Sequence, residues 1–220
     1  MSNTTQTFHP TAVAAVNRAL VTLGQDVTIE ALSTTSEIAH ARKAAFLYEG
    51  SRQAVLRDHA WTFAERVLET DGCLCLAPDG EGGGDFPFRT QRPAKCAAVR
   101  GCFGADGRLA KWRVGGLGIE SDSPIARIVY TADVEDLDKW SPEAYRCLVL
   151  RLAADLAKPI TGRINERQLQ ESAYAEAIAN AKLHDSREQN VPYDAYGENY
   201  YVERMRGCTS TRRDRLRAAR

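Results

Sequence analysis

The sequence predicts an α+β protein that is mainly helical: a helical bundle with an inserted small antiparallel β module and an extended C-terminal arm. Three observations predict it. Helix-period apolar patterns fill the two flanks, residues 1–70 and 134–187, which are expected to fold together as the bundle. Between them, over 71–133, helical periodicity gives way to short apolar runs separated by glycine-rich turn signals. The final stretch, 188–220, loses periodicity and collects tyrosine and arginine.

The first helix is expected over 11–23, "TAVAAVNRALVTL", where Val13, Val16, Leu20 and Leu23 recur at steps of three and four and Gly24 ends the run. A polar connector follows, and Ser36-Glu37 is expected to open a second, longer helix on which Ile38, Ala41, Ala45, Tyr48 and Val55 share a face. Its continuation, "YEGSRQAVLRDHAWTFAER", sets Arg52, Arg57, His59 and Arg66 beside Tyr48, Trp61 and Phe63. Burying a ring of that size contributes about 1.5–3 kcal/mol, so Tyr48, Leu56, Trp61 and Phe63 are assigned to the core. Glu49, Asp58 and Glu65 lie within three or four residues of Arg52, Arg57 and Arg66, so local ion pairing is expected to consume this charge rather than leave it for nucleic acid.

In the middle region, "ADGR" at 105–108 carries the Asp-Gly pair of tight hairpins, and the flanking runs "AAVRGCF" and "RLAKWRV" are expected to pair across it. "DGEGGGDFP" reads as a loop, and the acidic run "DVEDLD" at 133–138 as a solvated connector. Helical pattern returns at Ser141-Pro142, an N-cap followed by proline at the first helical position. Tyr145, Leu148, Leu152 and Leu156 form an apolar stripe, with Leu148 and Leu152 placed in the core, and Pro159 with Gly162 is expected to interrupt it. A last helix is expected over about 165–187, with Leu169, Ala173, Ala177 and Ala181 as a small-residue seam.

Chemistry is sparsely signalled. The glycines at 82–84 lack the Gly-Lys-Ser/Thr ending of a phosphate loop, and "GGLG" at 115–118 opens no helix. The four histidines form no HxxxH pair, and no serine sits in a GxSxG elbow. Of six cysteines, Cys73, Cys75, Cys96 and Cys102 lie closest together, but CxC followed by Cx5C matches no common zinc knuckle, and reduced thiols are expected. No catalytic residue, cofactor or metal ligand is assigned.

The formal net charge is zero and the pI is near 6.9, so any polyanion must be met by a local patch. The one unbalanced patch is the arm, where seven arginines between Arg204 and Arg220 face the single acid Asp214. Tyr193, Tyr196, Tyr200 and Tyr201 precede it, and aromatic residues with arginine are what protein interfaces enrich. The arm residues Tyr193, Tyr196, Tyr200, Tyr201, Arg204, Arg206, Arg212, Arg213, Arg215 and Arg217 are therefore expected to bind a partner protein, with duplex nucleic acid as the alternative. No apolar run approaches the ~20 residues of a membrane span, and the N-terminus has no signal-peptide pattern, which predicts a soluble protein made in the cytoplasm.

The stretch Leu47-Tyr48, Arg52, Val55-Leu56-Arg57, His59, Trp61 and Phe63-Ala64 follows the form LYxxxRxxVLRxHPWxFA, and "LRLAADLAKPITG" at 150–162 is a second match. On these residues the chain resembles the head-to-tail adaptor proteins of short-tailed bacteriophages, the tail tubular protein A family, with Ala60 in place of the family's proline. The resemblance covers roughly residues 10–187 and does not extend to the arginine-rich arm. It implies a helical fold with an inserted β module, no enzymatic activity, and a homo-oligomeric ring, a dodecamer, in the virion. It also implies a portal protein above the ring, a tail nozzle protein below it, and genomic DNA passing through its lumen. A nucleic-acid-binding module that uses the basic arm is the alternative.

Overall fold

The computed structural model describes residues 10–70, 75–76, 86–116 and 118–188. Within these the protein is α+β and divides into two compact units. One comprises 10–66, 94–100 and 130–188; the other comprises 67–70, 75–76, 86–93, 101–116 and 118–129. The first carries all four α-helices, and the chain passes between the units inside strands.

In the helical unit, α1 (Ala12–Thr22) starts at Thr11, whose Oγ1 accepts the Ala14 N–H at 3.1 Å. It closes at Gly24, whose φ of 68° lies in the left-handed region that favours glycine. α2 spans Ala39–Asp58. The expected start at Ser36-Glu37 is three residues early, because the Ser36 hydroxyl accepts the Ile38 N–H in a local turn and so is not available as a helix cap. α3 (Pro142–Thr161) begins at Ser141, whose hydroxyl accepts the Ala144 N–H, with Pro142 at N1. Pro159 does not interrupt α3, since it lies in the last turn and the helix runs on to Thr161 before Gly162 ends it at φ 70°. α4 (Ile164–Glu188) turns back immediately.

Helix α3 is the centre of this unit: α1, α2 and α4 all pack against it. Ten of its residues are buried, among them Leu148, Leu152 and Leu156, and Leu56 and Trp61 join them in one fully buried cluster. Tyr48 and Phe63 lie half-buried against that cluster. Of the expected α4 seam, Ala181 is buried and Ala177 lies half-buried against the core, whereas Leu169 is exposed; the other buried positions are Gln170, Tyr174 and Asp185. Those three are polar, so an apolar periodicity could not find them.

Seven strands follow in chain order: β1 (Glu65–Glu69), β2 (Cys75–Leu76), β3 (Phe88–Thr90), β4 (Cys96–Phe103), β5 (Trp112–Gly115), β6 (Gly118–Ser121) and β7 (Arg127–Ala132). β1 starts six residues before the expected β region, directly after the 3-10 turn Thr62–Ala64. The strands form two sheets, ordered β1-β7-β4 and β2-β3-β6-β5. The hairpin expected across "ADGR" closes for one turn only, through Gly104 N–H to Arg108 O and Ala110 N–H to Cys102 O, both 2.9 Å, and the Phe103–Leu109 bridge. Beyond it Lys111 bonds Asp122 in both directions and draws β5 into the other sheet, antiparallel to β6. The longer pairing is therefore the one between β5 and β6, which runs from Trp112–Ser121 to Gly115–Gly118. The core of this second unit is Cys102, Phe103, Ala110, Ile119, Ile125, Ile128 and Val129. Among the described residues no helix is long and apolar enough to cross a membrane.

Gly118 has φ +146° and sits where an added Cβ would meet the Thr90 carbonyl oxygen at 2.6 Å, in the register Thr90–Ile119 between β3 and β6. Gly118→Ala is expected to destabilise the protein by about 1–3 kcal/mol in urea unfolding, because strained backbone and a backbone clash coincide there.

Candidate functional site

The residues between Tyr48 and Arg66, singled out by their mixture of rings and cations, converge on the C-terminal end of α2. A helix leaves its last carbonyls without internal partners, and these must find donors where water is excluded. Here the donor is Arg100 on β4. One terminal nitrogen, Nη2, donates to the carbonyls of Leu56, Arg57 and His59 at 3.1, 3.0 and 2.6 Å, and Nε donates to the Thr131 hydroxyl at 2.8 Å. A cation at a helix C-terminus also opposes the negative end of the helix dipole. Arg57 returns the connection by donating Nε to the Ala97 carbonyl at 3.2 Å.

After Asp58 the backbone becomes extended at His59, with φ −146° and ψ 154°. That change of direction carries Ala60 and Trp61 inward, both buried. The Trp61 indole N–H donates to the Val55 carbonyl at 2.8 Å, so the ring both fills the core and closes α2 from below. His59 meets Trp61 edge-on with ring centroids 4.9 Å apart, Trp61 stacks on Phe63 at 5.9 Å, and Phe63 reaches Trp140 at 5.4 Å.

Arg52 is the largest buried cation of the unit. Its guanidinium grips the Glu49 carboxylate through two nitrogens, touches Asp133 Oδ1 at 2.6 Å and donates to the Val134 carbonyl at 2.8 Å. The Trp140 indole N–H shares that carbonyl at 3.2 Å. Burial disfavours the Arg52 charge, and its bonds to Glu49 and Asp133 outweigh that and hold its pKa above the ordinary value. The Glu49 carboxyl is correspondingly held low by its bond from Arg52.

On α4, the Tyr174 hydroxyl donates to Asp58 Oδ2, and Asp185 accepts the Thr62 N–H at 3.2 Å while lying 2.9 Å from His59 Nε2. Burial alone would raise the Asp185 pKa, but the bonds from His59 and Thr62 prevail and lower it. Tyr174 is pushed well above the usual phenol range by burial and then by the Asp58 carboxylate. Burial also raises Tyr48 to about 12 and the Cys147 thiol to about 11.

Arg52 pairs with Glu49 as the local spacing predicts, whereas Arg57 and Asp58 take partners distant in sequence and Arg66 bonds to nearby carbonyls. Arg57 takes the Ala97 carbonyl, Asp58 takes Tyr174, and Arg66 donates to the carbonyls of Phe63 and Glu65. Asp133, expected to be solvated, is drawn into the Arg52 cluster, and Leu137 within the same run is buried. The sequence reading missed Arg100, Tyr174 and Asp185. Their partners lie 31 to 126 residues away, beyond any local spacing rule. The ten predicted arm residues, from Tyr193 to Arg217, lie outside the described residues.

The assembled group is a clamp whose donors are directed at acceptors of the same chain. Among the described residues no group of three or more His, Cys, Asp or Glu side chains is placed to hold a metal ion. No family model matches the sequence, and no curated protein matches it.

Arg100→Lys keeps the charge but not the fork of donors, and is expected to lower unfolding free energy by about 1–3 kcal/mol in urea titration, since buried carbonyls lose partners. The pH profile of thermal unfolding should have two limbs. Asp185 is depressed, so its contribution is present above the ordinary carboxylate pKa of about 3.9 and is lost as pH falls through its lower folded value. Cys147 is raised, so its contribution is present below the ordinary thiol pKa of about 8.5. That contribution is lost as pH rises through about 11. Asp185→Asn should flatten the acid limb and leave the alkaline limb in place.

Proposed function

We propose that this protein is a structural component of a virion: a head-to-tail adaptor that joins portal to tail in a short-tailed bacteriophage and works without catalysis. The observation that carries the reading is the fate of the motif through which the sequence resembles that family. Tyr48, Arg52, Val55, Leu56, Arg57, His59, Trp61, Phe63 and Ala64 pack against the core or bond to backbone and carboxylate groups of the helical unit. A motif of this kind serves cohesion of a scaffold, which is what an adaptor subunit requires.

In this reading the helical unit is a bundle, the second unit is its inserted β module, and 188–220 is an extended arm that orders on the assembled particle. Copies of the chain form a ring, a dodecamer, with the portal protein above, the tail nozzle protein below and genomic DNA in the lumen. A closed ring needs a heterologous contact between two different faces of the subunit. Val21, Phe46, Ile164 and Leu169 are the most exposed of the large apolar side chains on the helical unit and are available for such contacts. The arm, through Tyr193, Tyr196, Tyr200, Tyr201 and the arginines from Arg204 to Arg217, grips portal or a neighbouring subunit.

Electron microscopy of the purified protein mixed with portal is expected to show a ring of added density with twelvefold symmetry, and truncation after Arg187 is expected to abolish attachment. A chain that ignores portal but binds duplex with an affinity that falls steeply with salt, through residues 204–220, would overturn this in favour of a nucleic-acid-binding module.

A further inference from the structure

Helix α4 is attached differently from the rest of its unit. It is 25 residues long, yet only Gln170, Tyr174, Ala181 and Asp185 are buried, and three of those four are polar. Apolar support comes from the Tyr174 ring and Ala181 with the half-buried Ala177 and Ile178, packed on α3, whereas α3 itself buries Leu148, Leu152 and Leu156 completely. What ties the C-terminal half of α4 to the end of α2 is two polar couples: Tyr174 on Asp58, and Asp185 on both His59 and the Thr62 N–H. Leu183 on this half is turned to solvent.

We propose that residues 174–188 form a releasable strap, which detaches from the end of α2 as a unit while α1, α2 and α3 stay folded. The physical basis is the balance of what release exposes. Detaching a leucine-rich face uncovers apolar area in proportion to its size; on this half of α4 that area is confined to the Tyr174 ring, Ala177, Ile178 and Ala181, and the rest of the attachment is hydrogen bonds to carboxylates, which release exchanges for hydrogen bonds to water. Segments with few buried apolar contacts are the ones that open below the free energy of global unfolding. Tyr174 and Asp185 lie three turns apart on one face, so loss of one couple leaves the other to hold the strap alone.

Release has a geometric consequence. Thirty-two residues follow Glu188 in the sequence (220 − 188), and their point of attachment is the end of the strap. At about 1.5 Å per residue, a strap of some 15 residues hinged near residue 173 is a lever roughly 22 Å long that carries that point with it if it stays helical. The inference stands on the attachment of α4 and is independent of the adaptor reading.

Cys147 reports the opening. Its side chain on α3 is fully buried, within electrostatic reach of Tyr174 and Lys182 of α4 and of Asp58 of α2. The full-length protein is treated with N-ethylmaleimide at urea concentrations below its unfolding transition, and modification is followed by peptide mass mapping. Cys102, buried in the second unit, serves as the reference. The expected result is labelling of Cys147 through an opening with weaker urea dependence than global unfolding. Asp185→Ala and Tyr174→Phe are each expected to speed it about 10-fold or more, with Cys102 labelling unchanged. Labelling of Cys147 in the wild-type protein with the full urea dependence of global unfolding, in step with Cys102, would overturn the proposal; this arm needs no variant to fold.

Discussion

The end of α2 is the constraint on which the helical unit depends. The helix ends where the carbonyls of Leu56 and His59 are part-buried, and a carbonyl left without a partner in such a place costs about as much as a lost hydrogen bond. One guanidinium from β4 satisfies both, together with that of Arg57. That solution does more than cap a helix. It fixes β4 to the end of α2, while Arg57 ties the same end to Ala97 and Trp61 seals it by bonding back to Val55. The His59 bend, the inward path of Ala60 and Trp61 and the start of β1 all follow from where α2 ends and what holds it there.

The second feature of the unit is how much charge it keeps inside. Replacing a buried ion pair by well-packed apolar residues is often neutral or stabilising, whereas removing one partner leaves a charge with nothing to balance it. Arg52 illustrates the point, since it is held by Glu49, Asp133 and the Val134 carbonyl together. Such a cluster does not maximise stability; it makes one arrangement of α2 and the chain after β7 much better than its neighbours. Apolar side chains alone would let α2 rotate or slide against α3 at smaller cost. The polar contacts thus define register, and the leucines of α3 supply most of the driving force.

The sequence disclosed the elements that local rules govern and missed those set by distant partners. Thr11, Gly24, Ser141, Pro142 and Gly162 act at helix ends because capping and positive φ are local properties, visible within four residues. The apolar stripe of α3 was legible because its burial is apolar; on α4 only Ala177 and Ala181 of the seam were, because Gln170, Tyr174 and Asp185 occupy the rest. Asp106-Gly107 does make a tight turn, but how far its strands pair depends on Lys111 and Asp122 eleven residues apart, which no turn rule contains. In the clamp, Arg52 and Glu49 could be paired from spacing, whereas Arg100, Tyr174 and Asp185 had no sequence signal that marked them as partners of α2.

What such a motif can tell follows from the roles its residues take. A constellation that binds substrate leaves donors and acceptors directed at a place the chain does not fill, so its residues report chemistry. The residues from Tyr48 to Ala64 direct theirs at the chain itself: a carbonyl on β4, a carboxylate on α4, a carbonyl one turn back. A likeness carried by residues of that kind is evidence about a scaffold, because any sequence keeping those contacts keeps the scaffold whatever its surface does. The residues that distinguish this stretch are the ones that hold the helical unit together.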